Sequence, residues 1–275
     1  MGISKEKRNR ELQLVELEIL NEVVKVCNKY DIEYFIDSGT ALGALRHSGF
    51  IPWDDDIDIG MTRVNYDRFL EIAPKEIDSE IFIQNRKTDK KAPFYSTRAR
   101  KNNTIHMEWD KRNMKIHHGV YIDIFPYDSI PDDESKRKKF QKRCKTLIKI
   151  YKIRSIPDRY KKPERNIKWW TLAIIRRLLH YILLPIPINW VEGYVEKNFR
   201  KYNNGKTKYI TCLSYGGTHT FKKEDIFPIK EILFEKNVYS APNNMDNYLK
   251  ELYGDYMKLP PKKERKGHEP YKLVF

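Results

Sequence analysis

Four aspartates, Asp54, Asp55, Asp56 and Asp58, fall within five consecutive positions of the stretch "GFIPWDDDIDIG". Carboxylates this close repel one another unless a cation or a proton holds them together. Asp54, Asp56 and Asp58 alternate with Asp55, Ile57 and Ile59, and period two is that of a strand, which sends alternate side chains to one face. Two steps along a strand cover roughly 6.6 Å, so Asp56 and Asp58 can converge on one ion. Hard oxygen donors of this kind favour Mg²⁺ or Mn²⁺. A third carboxylate is expected from a neighbouring strand, and Asp123 in "GVYIDIFPYD" is the candidate. A calcium-binding helix–loop–helix is excluded. Its loop needs Gly and Glu at its sixth and twelfth positions, which counted from Asp54 are Ile59 and Asn65. A solvated acidic turn stays open, but it does not explain the alternation with two isoleucines.

A second set of residues points to phosphate. Residues 32–36 form a short β-type run that stops at Ser38-Gly39-Thr40, and a helical pattern (Ala41, Leu42, Ala44, Leu45) follows. Backbone N–H groups at a Gly turn leading into a helix N-terminus cradle phosphate. Gly39 and Thr40 would supply them with help from Ser38, and Arg46 and His47 would reach a phosphate oxygen. An ordinary turn, a surface arginine and a packed histidine are the plainer alternatives. Together with the acidic strand, the turn describes a phosphoryl-transfer site, where positioning and charge neutralisation carry the chemistry.

Behind these residues the chain offers the elements to hold them. The spacing predicts helices over residues 4–30 and 63–73, and strands at the acidic run and at "GVYIDIFPYD". Residues 134–165 read as a basic helix. Residues 169–184 read as an amphipathic one, with Arg176, Arg177 and His180 on one side and Leu172, Ile175, Leu179 and Ile182 on the other. The net charge is +15, and fifteen Lys/Arg against two acids between Ser135 and Lys168 place +13 of it in that stretch. A local docking segment is therefore expected rather than a basic surface all round, and nucleic acid is disfavoured. A basic stretch running into an amphipathic helix fits an anionic membrane surface; a solvated helix face is the alternative. The apolar part is too short and too charged to span a bilayer. Aromatic residues at 13% argue against disorder. The three cysteines lack paired spacing, which suits a reducing compartment, and the N-terminus lacks the apolar core of a signal peptide.

The stretch "DSGTALGALRHSGFIPWDDDIDIGMTRVNYDRF" closely resembles the signature of the LicD family. "GVYIDIFPYD", "YGDYMKLPP" and a tail containing His268 resemble its later blocks. The wider family includes fukutin and fukutin-related protein. The resemblance implies an α+β fold: a nucleotidyltransferase-like mixed sheet flanked by helices, with a helical C-terminal portion. Residues 1–133 would be the catalytic core, 134–208 a basic and amphipathic helical segment, and 209–275 a segment packing back on the core. It implies metal-binding Asp56 and Asp58, Asp123 as third acid and general base, Asp54 as an outer ligand, and a phosphate turn at Gly39 and Thr40. It also implies transfer of a phospho-alcohol from a CDP-activated donor, CDP-choline by default, to a lipid-linked or membrane glycan such as a teichoic acid or lipopolysaccharide precursor, at the cytoplasmic face of the membrane. Trp53, Trp109 and Tyr121 are available to hold a quaternary ammonium. Two other readings remain: a nucleotidyltransferase moving NMP from an NTP, and a non-catalytic, metal-stabilised basic module.

Overall fold

The computed structural model describes residues 5–158 and 167–275. Helix α1 (Lys5–Lys29) leads to strand β1 (Phe35–Ile36), helix α2 (Ser38–His47), strand β2 (Asp58–Thr62) and helix α3 (Arg63–Glu76). Strands β3 (Ile81–Gln84), β4 (Thr97–Lys101), β5 (Ile105–Met107) and β6 (Tyr121–Ile130) follow. Three helices come next: α4 (Glu134–Ser155), α5 (Ile167–Leu183) and α6 (Ile188–Phe199). The chain then adds β7 (Tyr209–Thr211), β8 (Phe221–Lys222), the single turn α7 (Lys223–Ile226) and the hairpin β9 (Lys230–Phe234) and β10 (Asn237–Ala241). It ends with α8 (Met245–Tyr253) and β11 (Lys272–Val274).

The main sheet runs β1-β2-β6-β4-β3, with β7 on the far half of β6 and β8 on β7. β2 and β6 are parallel, and the other pairs are antiparallel. The fold is therefore α+β with a mixed sheet. Its two faces differ in chemistry. Ile59, Ile122, Ile124 and Ala99 are fully buried in the apolar core, and α1 and α3 pack on the sheet. α1 buries Leu12, Ile19, Leu20, Val23 and Cys27 at helical spacing, while Leu14 faces solvent. The alternate residues of the same strands, Asp58, Asp123 and Arg98, lie on the other face. Asp58 pairs in register with Asp123 across β2 and β6, and Asp123 with Arg98 across β6 and β4. One row across three strands thus carries acid, acid and base.

A second, smaller core forms where α4 and α6 meet the end of β6: Ile130, Phe140, Cys144, Tyr151, Val195 and Phe199 are buried together. A buried ion pair joins the two cores. Arg63 at the start of α3 donates Nε and Nη2 to Asp128 on β6 at 2.8 and 2.6 Å, and Asn203 Nδ2 completes Asp128 Oδ1 at 2.7 Å. Caps fix the helix starts: Thr62 Oγ1 accepts from Asn65 N, and Asp133 Oδ1 from Lys136 N.

Some boundaries differ from the sequence expectations. α2 begins at Ser38 itself, so Ser38-Gly39-Thr40 is the first helical turn and not a loop ahead of it. β2 begins only at Asp58, so Asp54 and Asp56 precede the strand. Of residues 32–36 only the last two are in the sheet. The basic helix ends at Ser155, and the expectation for its end falls partly on residues 159–166, outside the described residues. In α5 it is the polar side that faces inward: His180 Nδ1 lies 2.9 Å from the Ile153 carbonyl, and Arg176 Nη2 donates to the carbonyls of Lys152 and Ile156. Arg177 stays outside, paired with Asp158.

Candidate active site

The acidic segment is held from beneath by amides. Asn9 Nδ2 and Gln13 Nε2 on α1 each donate to the Asp54 carbonyl at 2.9 Å. Thr40 Oγ1 accepts from Asp58 N at 2.9 Å, Asp37 N donates to the Asp58 carbonyl at 2.9 Å, and Asp123 N to the Ile57 carbonyl at 2.9 Å. α1, α2 and β6 thereby fix one short stretch, residues 54–58, in which every side chain but that of Ile57 is acidic. Carboxylate oxygens of Asp54, Asp55 and Asp56 lie within 4.8 Å of one another.

Burial and repulsion from neighbouring carboxylates make Asp54, Asp56 and Asp58 reluctant to ionise. Burial, then Asp56 and Asp55, push Asp54 well above the usual carboxylate range. Burial and Asp55 push Asp56 up to about 6, against the pull of His268. Burial, Asp56 and Asp123 raise Asp58 well above its ordinary value. Glu16 on α1 is fully buried with no hydrogen-bond partner for either oxygen among the described residues, and burial and the neighbouring aspartates Asp56, Asp55 and Asp54 push it up as well. Such a set fits a hard divalent cation: all-oxygen donors, close spacing, and a repulsion that an added positive charge relieves. Asp54, Asp55 and Asp56 could hold the ion, with Asp58 and Asp123 facing each other in register beside them.

Cations already offset part of the charge. Arg98 Nε donates to Asp123 Oδ1 at 3.0 Å and its Nη1 to Glu108 Oε2 at 2.6 Å; Lys111 bridges Glu108 and Asp110. His268 Nδ1 lies 3.1 Å from Asp55 Oδ1, and that carboxylate raises the imidazole to about 9. A cavity of about 390 Å³ opens over these groups. Asp55, Asp56, Asp58 and Asp123 line it with Arg98, Lys111, Lys152, Arg176 and His268, and with Phe94, Tyr121, Phe125 and Tyr215. Acids and bases interleaved around one cavity suit a ligand that carries negative charge beside a cation.

The other expected residues sit as follows. Gly39 lies in the first turn of α2, and a Cβ there would stand 2.7 Å from Asp54 Oδ2, so the acid crowds the helix N-terminus. Ser38 Oγ donates to Asp37 Oδ1. Asp37 is buried and also accepts from the hydroxyls of Tyr127 and Tyr248. Arg46 Nη1 donates to the Tyr256 carbonyl at 2.7 Å, and His47 packs edge-on against Trp53; neither lines the cavity. Of the aromatic residues, Tyr121 does line it, beneath the Arg98 guanidinium at 3.8 Å. Trp53 lies under Arg265, and Trp109 packs against Tyr271. Asp55 joins the acidic group although its parity in the sequence set it apart. Arg98 carries no local signal: "TRARK" reads as an exposed strand, and only the pairing of β4 with β6 buries it.

The comparisons with known proteins give the family. Residues 31–172 match the family described as LicD/FKTN/FKRP, nucleotidyltransferase domain. The chain is similar to the lipopolysaccharide cholinephosphotransferase LicD of Haemophilus influenzae, with 30% identity over 94% of this chain and 95% of that protein. It is similar over a shorter span to the mouse ribitol 5-phosphate transferase FKRP, at 27% identity over 31% of this chain and 18% of that one. The human FKRP matches at 44% over 14% of this chain and 8% of its own length. With the acid row on β2 and β6, the cavity above it and a relative aligned along nearly its whole length, the chain belongs to the LicD/FKTN/FKRP family.

Proposed function

We propose that this phosphotransferase moves a phospho-alcohol, phosphocholine by default, from a CDP-activated donor to a hydroxyl of a cell-surface glycan precursor, releasing CMP. The observation that carries the reading is the register of Asp58 and Asp123 on adjacent parallel strands beside Asp54, Asp55 and Asp56. The similarity to a cholinephosphotransferase supports the choice of donor and a lipopolysaccharide acceptor. A divalent cation, Mg²⁺ or Mn²⁺, held by Asp54, Asp55 and Asp56 with Asp58 beside them would neutralise the donor diphosphate.

The chain's own residues do the rest. The acceptor oxygen attacks the phosphorus that bears the alcohol, and the bond from that phosphorus to the CMP oxygen breaks in line. The proton leaves with Asp123, whose Oδ1 is held by Arg98, so Oδ2 is the atom that receives it. Arg98 fixes the position of Asp123. In-line displacement needs the base held in position. Lys111, Lys152 and Arg176 on the cavity wall offset the charge that builds on the departing CMP. The amides of Gly39 and Thr40 at the start of α2 would orient the donor phosphates. We place the reaction at the inner face of the cell membrane, where a lipid-linked glycan precursor would meet it.

The test is CMP release with CDP-choline, CDP-ethanolamine, CDP-glycerol and CDP-ribitol, with Mg²⁺ and membrane glycolipid. CMP from one donor is expected, falling about a hundredfold or more in Asp58→Asn and Asp123→Asn. No CMP from any donor, with pyrophosphate from an NTP instead, would move the chain to nucleotidyl transfer.

A further inference from the structure

α5 is amphipathic the wrong way round for a helix of a water-exposed hairpin. Its polar residues Arg176 and His180 face α4, while Ile174, Leu178 and Ile182 are 57%, 57% and 69% exposed. Trp170 and Tyr181 flank them at 53% and 63%. α6 follows at an angle of 97° and adds Trp190, 77% exposed. Among the described residues nothing covers this face, and no single helix there is long and apolar enough to cross a membrane. The helix that α5 packs against is basic. Lys138, Lys142, Lys145 and Lys149 on α4 are exposed, and Arg143 on the same helix donates to the Tyr194 hydroxyl of α6 at 2.7 Å. Apolar and aromatic side chains beside a lysine row match the two forces that seat a helix in an anionic bilayer surface.

We propose that α4, α5 and α6 form a docking surface for an anionic bilayer, with α5 lying in the interface plane and the α4 lysines on lipid headgroups. Lys152, Ile156 and Arg176 of the same hairpin line the acidic cavity. The docking element is thus a wall of the reaction chamber, and a hydroxyl anchored in the membrane arrives beside it. This last step rests on the phosphotransferase reading; binding to the bilayer does not.

The experiment is flotation of the full chain with vesicles of phosphatidylcholine alone or mixed with phosphatidylglycerol, at low and high salt, with CMP release measured in parallel. Binding is expected on the anionic vesicles only, and salt should reverse it. Lys142→Ser, Lys145→Ser and Lys149→Ser together should weaken it about a hundredfold. Leu178→Asp with Ile182→Asp should abolish it while circular dichroism and Tm stay unchanged. Equal recovery on neutral and anionic vesicles overturns the proposal. So does light scattering that shows a dimer without vesicle binding, made monomeric by Leu178→Asp, because a second copy then covers the face. Flotation without CMP release would leave the docking surface standing and remove the donor reading; CMP release without flotation would do the reverse.

Discussion

Burial and neighbouring carboxylates, more than their own chemistry, set the ionisation of Asp54, Asp56 and Asp58. Asp56 ionises only near about 6 when folded, against a usual value near 3.8. A raised carboxylate contributes stability below its unfolded value, and that contribution is lost as pH rises through the folded one. The metal-free chain is therefore burdened at neutral pH by charges that acid relieves. A bound cation relieves them without acid. Mg²⁺ is expected to raise Tm clearly at about pH 7.5 and much less at about pH 5.5, where protons occupy the same oxygens. Equal gains at both pH values in a thermal-shift titration would count against cation binding by these groups. Arg98 sets the opposite case. It pairs with Asp123 and Glu108 from a nearly fully buried position, so Arg98→Met leaves Asp123 without its cation and Glu108 with Lys111 alone. A loss of about 3–5 kcal/mol is expected, measured by urea unfolding. None of this was written in "TRARK". The acid row showed in the sequence because it alternates with isoleucine, whereas a buried arginine is defined by what lies across the strands.

Elements place those residues through contacts of two kinds. Strand register was legible where one face is apolar: Ile57 and Ile59 on one parity and Ile122 and Ile124 on the other strand are all buried, and the carboxylates follow on the opposite face. Helix α1 was legible from its spacing. The start of α2 was not, because Ser38 keeps a positive φ of 48° and still opens the helix, where Ser-Gly-Thr suggested a free turn. What fixes that turn is tertiary: Asp37 tied to two tyrosines, and Asp54 pressed against Gly39. The crowding makes Gly39→Ala informative. Alanine in a helix gains roughly 0.5–1 kcal/mol over glycine, and the obstacle, Asp54 Oδ2 at 2.7 Å, is the end of a side chain that can turn aside. Stability should hold or rise slightly while CMP release falls, because the displaced carboxylate belongs to the acidic group. A drop in Tm matching the drop in activity would mean that Gly39 serves packing alone. The inward polar side of α5 was equally hidden, since periodicity gives two faces but not which one meets α4.

The whole chain closes over its site from both ends. The tail lies back on the core: β11 pairs with β5, Tyr271 N donates to the Met107 carbonyl at 2.7 Å, and Arg8 on α1 reaches the Leu273 carbonyl at 2.5 Å. Between these points His268 meets Asp55. Gly267 passes so close that a Cβ would stand 2.7 Å from the Asp55 carboxyl carbon. This charged contact from the tail into the acidic group is therefore titratable within an accessible range. His268 is raised from 6.5 to about 9. A raised imidazole contributes stability that is fully present below its unfolded value and is lost as pH rises through the folded one. The tail should stay closed at about pH 6 and loosen progressively until about pH 9.5, the core remaining folded. Half-exposure of His268 keeps the effect local. Hydrogen exchange of the β11 amides in metal-free protein, corrected for intrinsic rates, should rise across that window, with no such rise at β6. His268→Gln should exchange fast at every pH. A β11 signal that stays flat from about pH 6 to 9.5 in the native chain would mean that strand pairing with β5 holds the tail without help from His268, and that the cavity is open or closed irrespective of its charge.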